Sequence, residues 1–125
     1  MIASGSLVVP KKADGPDFIV GSNGTTVSTS QSRMRQGFND AGFPSQQVVS
    51  PTSGNVVGQA HTLPNGNIVR TMSADGRNPR RASFTNGNGG AINPFTGKPP
   101  QPPSGLTRAE RKQFVRERSH IVQGP

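Results

Sequence analysis

Two histidines and a surplus of arginine are the residues in this chain best suited to chemistry. His61 and His120 are its only histidines, and an imidazole titrates near neutral pH, so each can take or give a proton. Arginine binds phosphate through two parallel N–H groups. Together these parts meet the needs of phosphodiester cleavage without a metal. A base takes the proton of an attacking hydroxyl, an acid protonates the leaving oxygen, and cations hold the charge that develops on phosphorus. His61, Arg70, His120, Arg81, Ser83 and Thr85 are accordingly the candidate catalytic groups, and Arg80, Lys98, Arg111 and Lys112 the candidate substrate-binding groups. Each has a plainer reading beside it. A lone histidine on a strand is often a packing residue, Arg80-Arg81 can blunt a sheet edge, and Lys98 can be a solvated loop charge.

Other chemistries find little support. The sequence has no phosphate-binding loop, no dinucleotide fingerprint, no His-Glu-x-x-His and no nucleophile elbow. Its six carboxylates show no pairing that suggests a metal site or a glycosidase dyad. Cysteine is absent, which removes disulfides, thiolate nucleophiles and cysteine zinc sites. No cofactor is expected, and any nuclease activity is expected to need no metal.

Charge points to an anionic partner. The net charge is +8, and residues 66–125 hold +7 of it. Solubility needs no such asymmetry, whereas a concentrated positive field draws in a polyanion, with RNA the first choice. Tyrosine and tryptophan are missing, so base stacking would fall to Phe or Arg, which counts against a single-strand-binding module. No apolar run approaches the length of a membrane span. The opening Met1–Val9 lacks the basic lead of a signal peptide and reads as a start placed on a fragment of a longer chain.

The elements that must position these residues are short. Residues 1–16 read as a flexible lead or linker and 17–125 as one α+β domain. Phe18-Ile19-Val20 and Thr25-Thr26-Val27 flank a turn at Gly21–Gly24. Met34, Phe38 and Ala41 give helical spacing from Gln31, with Ser30 or Ser32 as cap and Gly42 as stop. Asn65-Gly66 predicts a two-residue hairpin loop in which His61 faces Arg70, with His61, Leu63, Ile68, Arg70 and Met72 on one face. Arg80–Thr85 predicts a strand with Ala82 and Phe84 on one side and Arg81, Ser83 and Thr85 on the other. Asn93–Pro103 reads as an extended, polyproline-like run with Phe95 packing on the body. Thr107-x-x-Glu110 is a capping box opening a basic helix, with Phe114, Val115, Ile121 and Val122 as its apolar stripe.

Several of these segments resemble the C-terminal effector domains of bacterial polymorphic toxins of the rearrangement-hotspot and contact-dependent growth-inhibition types. The resemblance lies in Pro16–Val20, Gly24–Val27, Asn93-Pro94-Phe95-Thr96-Gly97-Lys98-Pro99-Pro100 and Arg116–Ile121, within residues 16–121. It implies a domain exported by the producing bacterium on a larger protein and acting in the cytoplasm of a competitor. It also implies an acidic cognate immunity protein, the domain being a monomer or a heterodimer with it. Many such domains are small metal-independent ribonucleases with a curved antiparallel sheet and two short helices, similar to barnase, colicin E5 or the RelE toxins. The expected activity is therefore cleavage of tRNA or rRNA. Two alternatives stand beside it: an ADP-ribosyltransferase toxin, for which only Glu110 and Glu117 could serve, and a non-enzymatic RNA-binding module.

Overall fold

The computed structural model describes residues 18–20 and 26–125, and its fold is α+β. In chain order the elements are β1 (Phe18–Val20), β2 (Thr26–Ser28), α1 (Gln31–Asp40), β3 (Ser45–Val49), β4 (Val56–Thr62), β5 (Ile68–Met72), β6 (Arg81–Thr85), α2 (Arg108–Ser119) and β7 (His120–Val122). β1 and β2 pair with each other, while β3-β4-β5-β6-β7 form an open sheet whose neighbours are all antiparallel. The turn expected between β1 and β2 and the expected lead at residues 1–16 lie outside the described residues. Among the described residues no helix is long and apolar enough to cross a membrane.

α1 begins where the Ser30 side chain accepts the Arg33 N–H, and it ends at Gly42, whose φ of +77° suits glycine. Met34 and Phe38, one turn apart, are buried against one face of the sheet. That face presents Leu63, Val69, Ala82 and Phe84, with Ile92, Phe43, Phe95 and Ile121 at its margins.

The central hairpin departs from expectation by one residue. A two-residue type I′ loop needs positive φ at both Asn65 and Gly66; only Gly66, at +88°, adopts it, and no non-glycine residue in the described chain does. Pro64 instead sits at the second position of a turn closed by the Gly66 N–H on the Leu63 carbonyl (2.9 Å), a position its fixed φ favours. The Leu63 N–H then donates to the Asn67 carbonyl, and Asn65 Oδ1 accepts the Asn67 N–H. The loop has three residues, so His61 pairs with Val69 and Ala60 with Arg70. A slip of one residue sends a side chain to the other face.

Two further expectations are corrected nearer the C-terminus. Ile121 and Val122 leave the helix and form β7, which pairs with β6 as Ser83↔His120, Ala82↔Ile121 and Arg81↔Val122. The run from Asn93 is a compact turn, closed by the Asn93 N–H on the Lys98 carbonyl (2.9 Å), with Pro94 buried. The capping box is present as expected: Thr107 Oγ1 accepts the Glu110 N–H and Glu110 Oε1 accepts the Thr107 N–H. Thr107→Ala should therefore cost about 1 kcal/mol of stability, read as a lower urea midpoint; an unchanged midpoint would show that the cap is dispensable.

Candidate functional site

Residues directly opposite across antiparallel strands project from the same face. The observed register thus lines up Gln46, Ala60, Arg70, Ser83 and His120 in one row across all five strands. Arg81 and Thr85 flank Ser83 on the same side of β6. Five of the six candidate catalytic residues, namely Arg70, Arg81, Ser83, Thr85 and His120, share this face, which is the one opposite α1. Only the hairpin slip separates His61 from them.

His120 sits at the junction of α2 and β7. Its Nδ1 lies 2.8 Å from the Arg116 carbonyl, one helical turn back, and 3.2 Å from Ser119 Oγ. A carbonyl can only accept, so Nδ1 carries the hydrogen and Nε2 of the neutral ring keeps its lone pair. Ser119 Oγ donates in turn to the Val115 carbonyl, which secures the last helical turn. Burial holds the His120 pKa below the ordinary histidine value; the Arg116 carbonyl opposes this, and the Arg116 and Arg81 guanidiniums reinforce it. His120 is therefore a neutral base at pH 7 with one nitrogen anchored and the other free of protein hydrogen bonds.

Two grooves meet at this ring. The larger, about 580 Å³, runs along α2 between Arg108, Arg111, Lys112, Arg116 and His120, with Ala91, Pro102 and Val115 supplying apolar wall. The smaller, about 240 Å³, is lined by Arg81, Arg116, His120 and Val122 among others. The loop from Asp75 to Asn78 orients both flanking guanidiniums. Asn78 Oδ1 accepts from Arg116, Asp75 accepts the Arg77 and Asn78 N–H groups, and Asp75 lies 3.8 Å from Arg81 Nη1. Those hydrogen bonds, more than Arg81 itself, hold the Asp75 carboxyl below its usual range. Arg81 Nη1 also donates to the Ser73 and Pro79 carbonyls. On the neighbouring strand Arg70 donates to Thr85 Oγ1 at 3.1 Å, so Thr85 positions a guanidinium.

The remaining candidates divide. Arg111 and Lys112 line the larger groove. Lys98 is exposed on its turn and lines neither groove. Arg80 lies on the α1 side, beside Arg35, because adjacent residues of an extended chain face opposite ways. Arg80 and Arg81 therefore do not clamp one phosphate between them. His61 is fully buried, its ring 4.9 Å from that of Phe38 and its Nε2 2.9 Å from Thr71 Oγ1. It is a core residue, not a member of the half-buried cluster on the opposite face. Asp75, Asn78, Arg116 and Ser119 emerge only from the structure. Arg116 had a legible signal, since it precedes His120 by four residues at the end of a capped helix.

Glu110 and Glu117 are both exposed on α2, the first held by the capping box and the second accepting from Gln113. Among the described residues no three His, Asp or Glu side chains gather as metal ligands would. Comparison of the chain with family models, with curated proteins and with solved structures gives no match.

Proposed function

We propose that residues 17–125 are a ribonuclease toxin domain that cleaves RNA by metal-independent acid–base chemistry, with His120 as general base. The observation that carries this reading is the anchored His120 ring at the meeting point of two arginine-lined grooves. Nε2 takes the proton of a ribose 2′-hydroxyl. The 2′-oxygen bonds to phosphorus, the bond to the 5′-oxygen breaks, and a 2′,3′-cyclic phosphate remains. Arg81 and Arg116 flank the ring and offset the charge building on the phosphate. Ser83 and the Thr85-held Arg70 lie next along the sheet, where they contact the phosphate or its neighbour. With His61 in the core, the leaving oxygen draws its proton from a donor other than histidine; Lys112 and Arg116 line the same groove.

The rest of the proposal follows from charge and from the toxin resemblance. The domain is exported on a larger protein, acts in the cytoplasm of a competitor and is held inactive in its producer by an immunity protein. An acidic surface on that protein, seated over the α2 groove, competes with RNA for the same cations. Incubating the protein with total RNA in EDTA tests the activity. Fragments ending in 2′,3′-cyclic phosphate are expected, with no dependence on NAD. Cleavage that appears only on adding a divalent metal, or RNA left whole while NAD is consumed, would overturn the proposal.

A further inference from the structure

The second face of the sheet carries a basic feature that the proposed site does not use. A groove of about 340 Å³ lies on the α1 side, with Arg35 of α1 and Arg80 at the entry to β6 among its walls. Ser32, Gln36 and Asn39 add polar groups from successive turns of the same helix. Arg35 is half-buried and held by one edge, its Nε donating to Thr71 Oγ1 at 2.8 Å and its Nη2 to the Thr71 carbonyl at 2.9 Å. That leaves the remaining guanidinium N–H groups for whatever enters the groove.

Pro125 also lines the groove, but among the described residues no carboxylate lies within ion-pair distance of Arg35 or Arg80. Burial and the nearby Arg80 both make a charge on Arg35 harder to carry, and no carboxylate acts on it in return. Among the described residues the single ion pair is Arg81–Asp75, on the other face. Two like charges converging in a concave, half-buried polar setting repel unless an anion sits between them. A doubly N–H-lined tetrahedral oxyanion suits such a pair better than a planar or apolar ligand.

We propose that Arg35 and Arg80 form a phosphate-binding site on the face opposite His120. The ligand class is a phosphate group, either free or as one phosphodiester of a nucleic acid. Because Arg80 and Arg81 are consecutive and face opposite ways, the start of β6 carries one guanidinium on each face of the sheet. The site stands whether or not RNA is cleaved.

Amide and arginine side-chain NMR of the intact protein, titrated with inorganic phosphate and separately with a short DNA oligonucleotide, tests it. Shifts are expected at Ser32, Arg35 and Gln36. Arg80→Gln, which spares the bonds between Arg35 and Thr71, should weaken that response about tenfold, the effect of losing one charge-assisted contact. Lys98→Gln, which removes a charge outside all three grooves, should leave it unchanged. Response to both probes marks a general phosphate site; response to DNA alone marks a phosphodiester contact. No shift at these residues with either probe, or an Arg80→Gln titration matching wild type, would overturn the assignment.

Discussion

His120→Ala should slow RNA cleavage by about 10²–10⁴-fold, the usual worth of a positioned proton-transfer group. The expectation rests on a ring whose tautomer is fixed by the chain itself. The Arg116 carbonyl accepts from Nδ1, so the basic nitrogen is Nε2. The pH profile adds a signature that loss of packing would not produce. A general base works only when unprotonated, so cleavage should rise with pH through the His120 pKa and then level. Burial sets that pKa below the ordinary histidine value, so the midpoint of the rise lies on the acid side of neutrality. Arg116→Gln preserves the backbone carbonyl and the anchored ring but removes a guanidinium; it should lower the rate while moving the rising limb upward, because a like charge has left. Folding is monitored by circular dichroism in each variant. A folded His120→Ala protein that cleaves at the wild-type rate would remove His120 from the chemistry.

The parts of the fold with local physical signals were legible in the sequence. Ser30 and Thr107 are capping residues whose partners lie three positions on, and both caps form. The strand Arg81–Thr85 alternates cleanly, with Ala82 and Phe84 buried and Arg81, Ser83 and Thr85 turned outward. β3 was not legible, since Ser45-Gln46-Gln47-Val48-Val49 is almost wholly exposed and shows no alternation. β7 was hidden because Ile121 and Val122 continue a helical spacing that the pairing with β6 overrides. The site depended on a finer point. Asn-Gly announces a hairpin, but the residue before it chooses the loop length, and Pro64 at the second turn position draws the loop to three residues. That single choice moves His61 into the core and leaves Arg70 in line with Ser83 and His120. Side-chain burial cannot be read from residue type when the register is open by one.

His61 should make the protein markedly less stable in mild acid, for a reason unconnected with catalysis. Its ring is fully buried between Phe38 and Thr71. Thr71 Oγ1 accepts from Arg35 Nε and lies within reach of the Gln59 carbonyl, to which its own proton can go. Nε2–H of His61 therefore donates to Thr71, and Nδ1 is left as a buried lone pair with no partner. A proton added there would bring an unpaired charge into the core beside Arg35. Burial first, and Arg35 second, accordingly push the His61 pKa down to about 4 from 6.5. As pH falls below 6.5 the unfolded chain binds a proton that the folded chain refuses, so stability drops until the folded ring also titrates near 4. The loss from this residue should be about 2 kcal/mol by pH 5 and level off at about 3 kcal/mol. His120, whose pKa is also lowered, acts in the same direction, so the comparison that isolates His61 is between wild type and His61→Asn. Asparagine can still donate to Thr71 but does not titrate. Urea denaturation at pH 7 and pH 5 should show a smaller pH-linked loss in His61→Asn by about 2 kcal/mol, whatever its stability at pH 7. An identical loss in the two proteins would mean that His61 takes up its proton as readily in the fold as in the unfolded chain, and that Nδ1 has a partner after all.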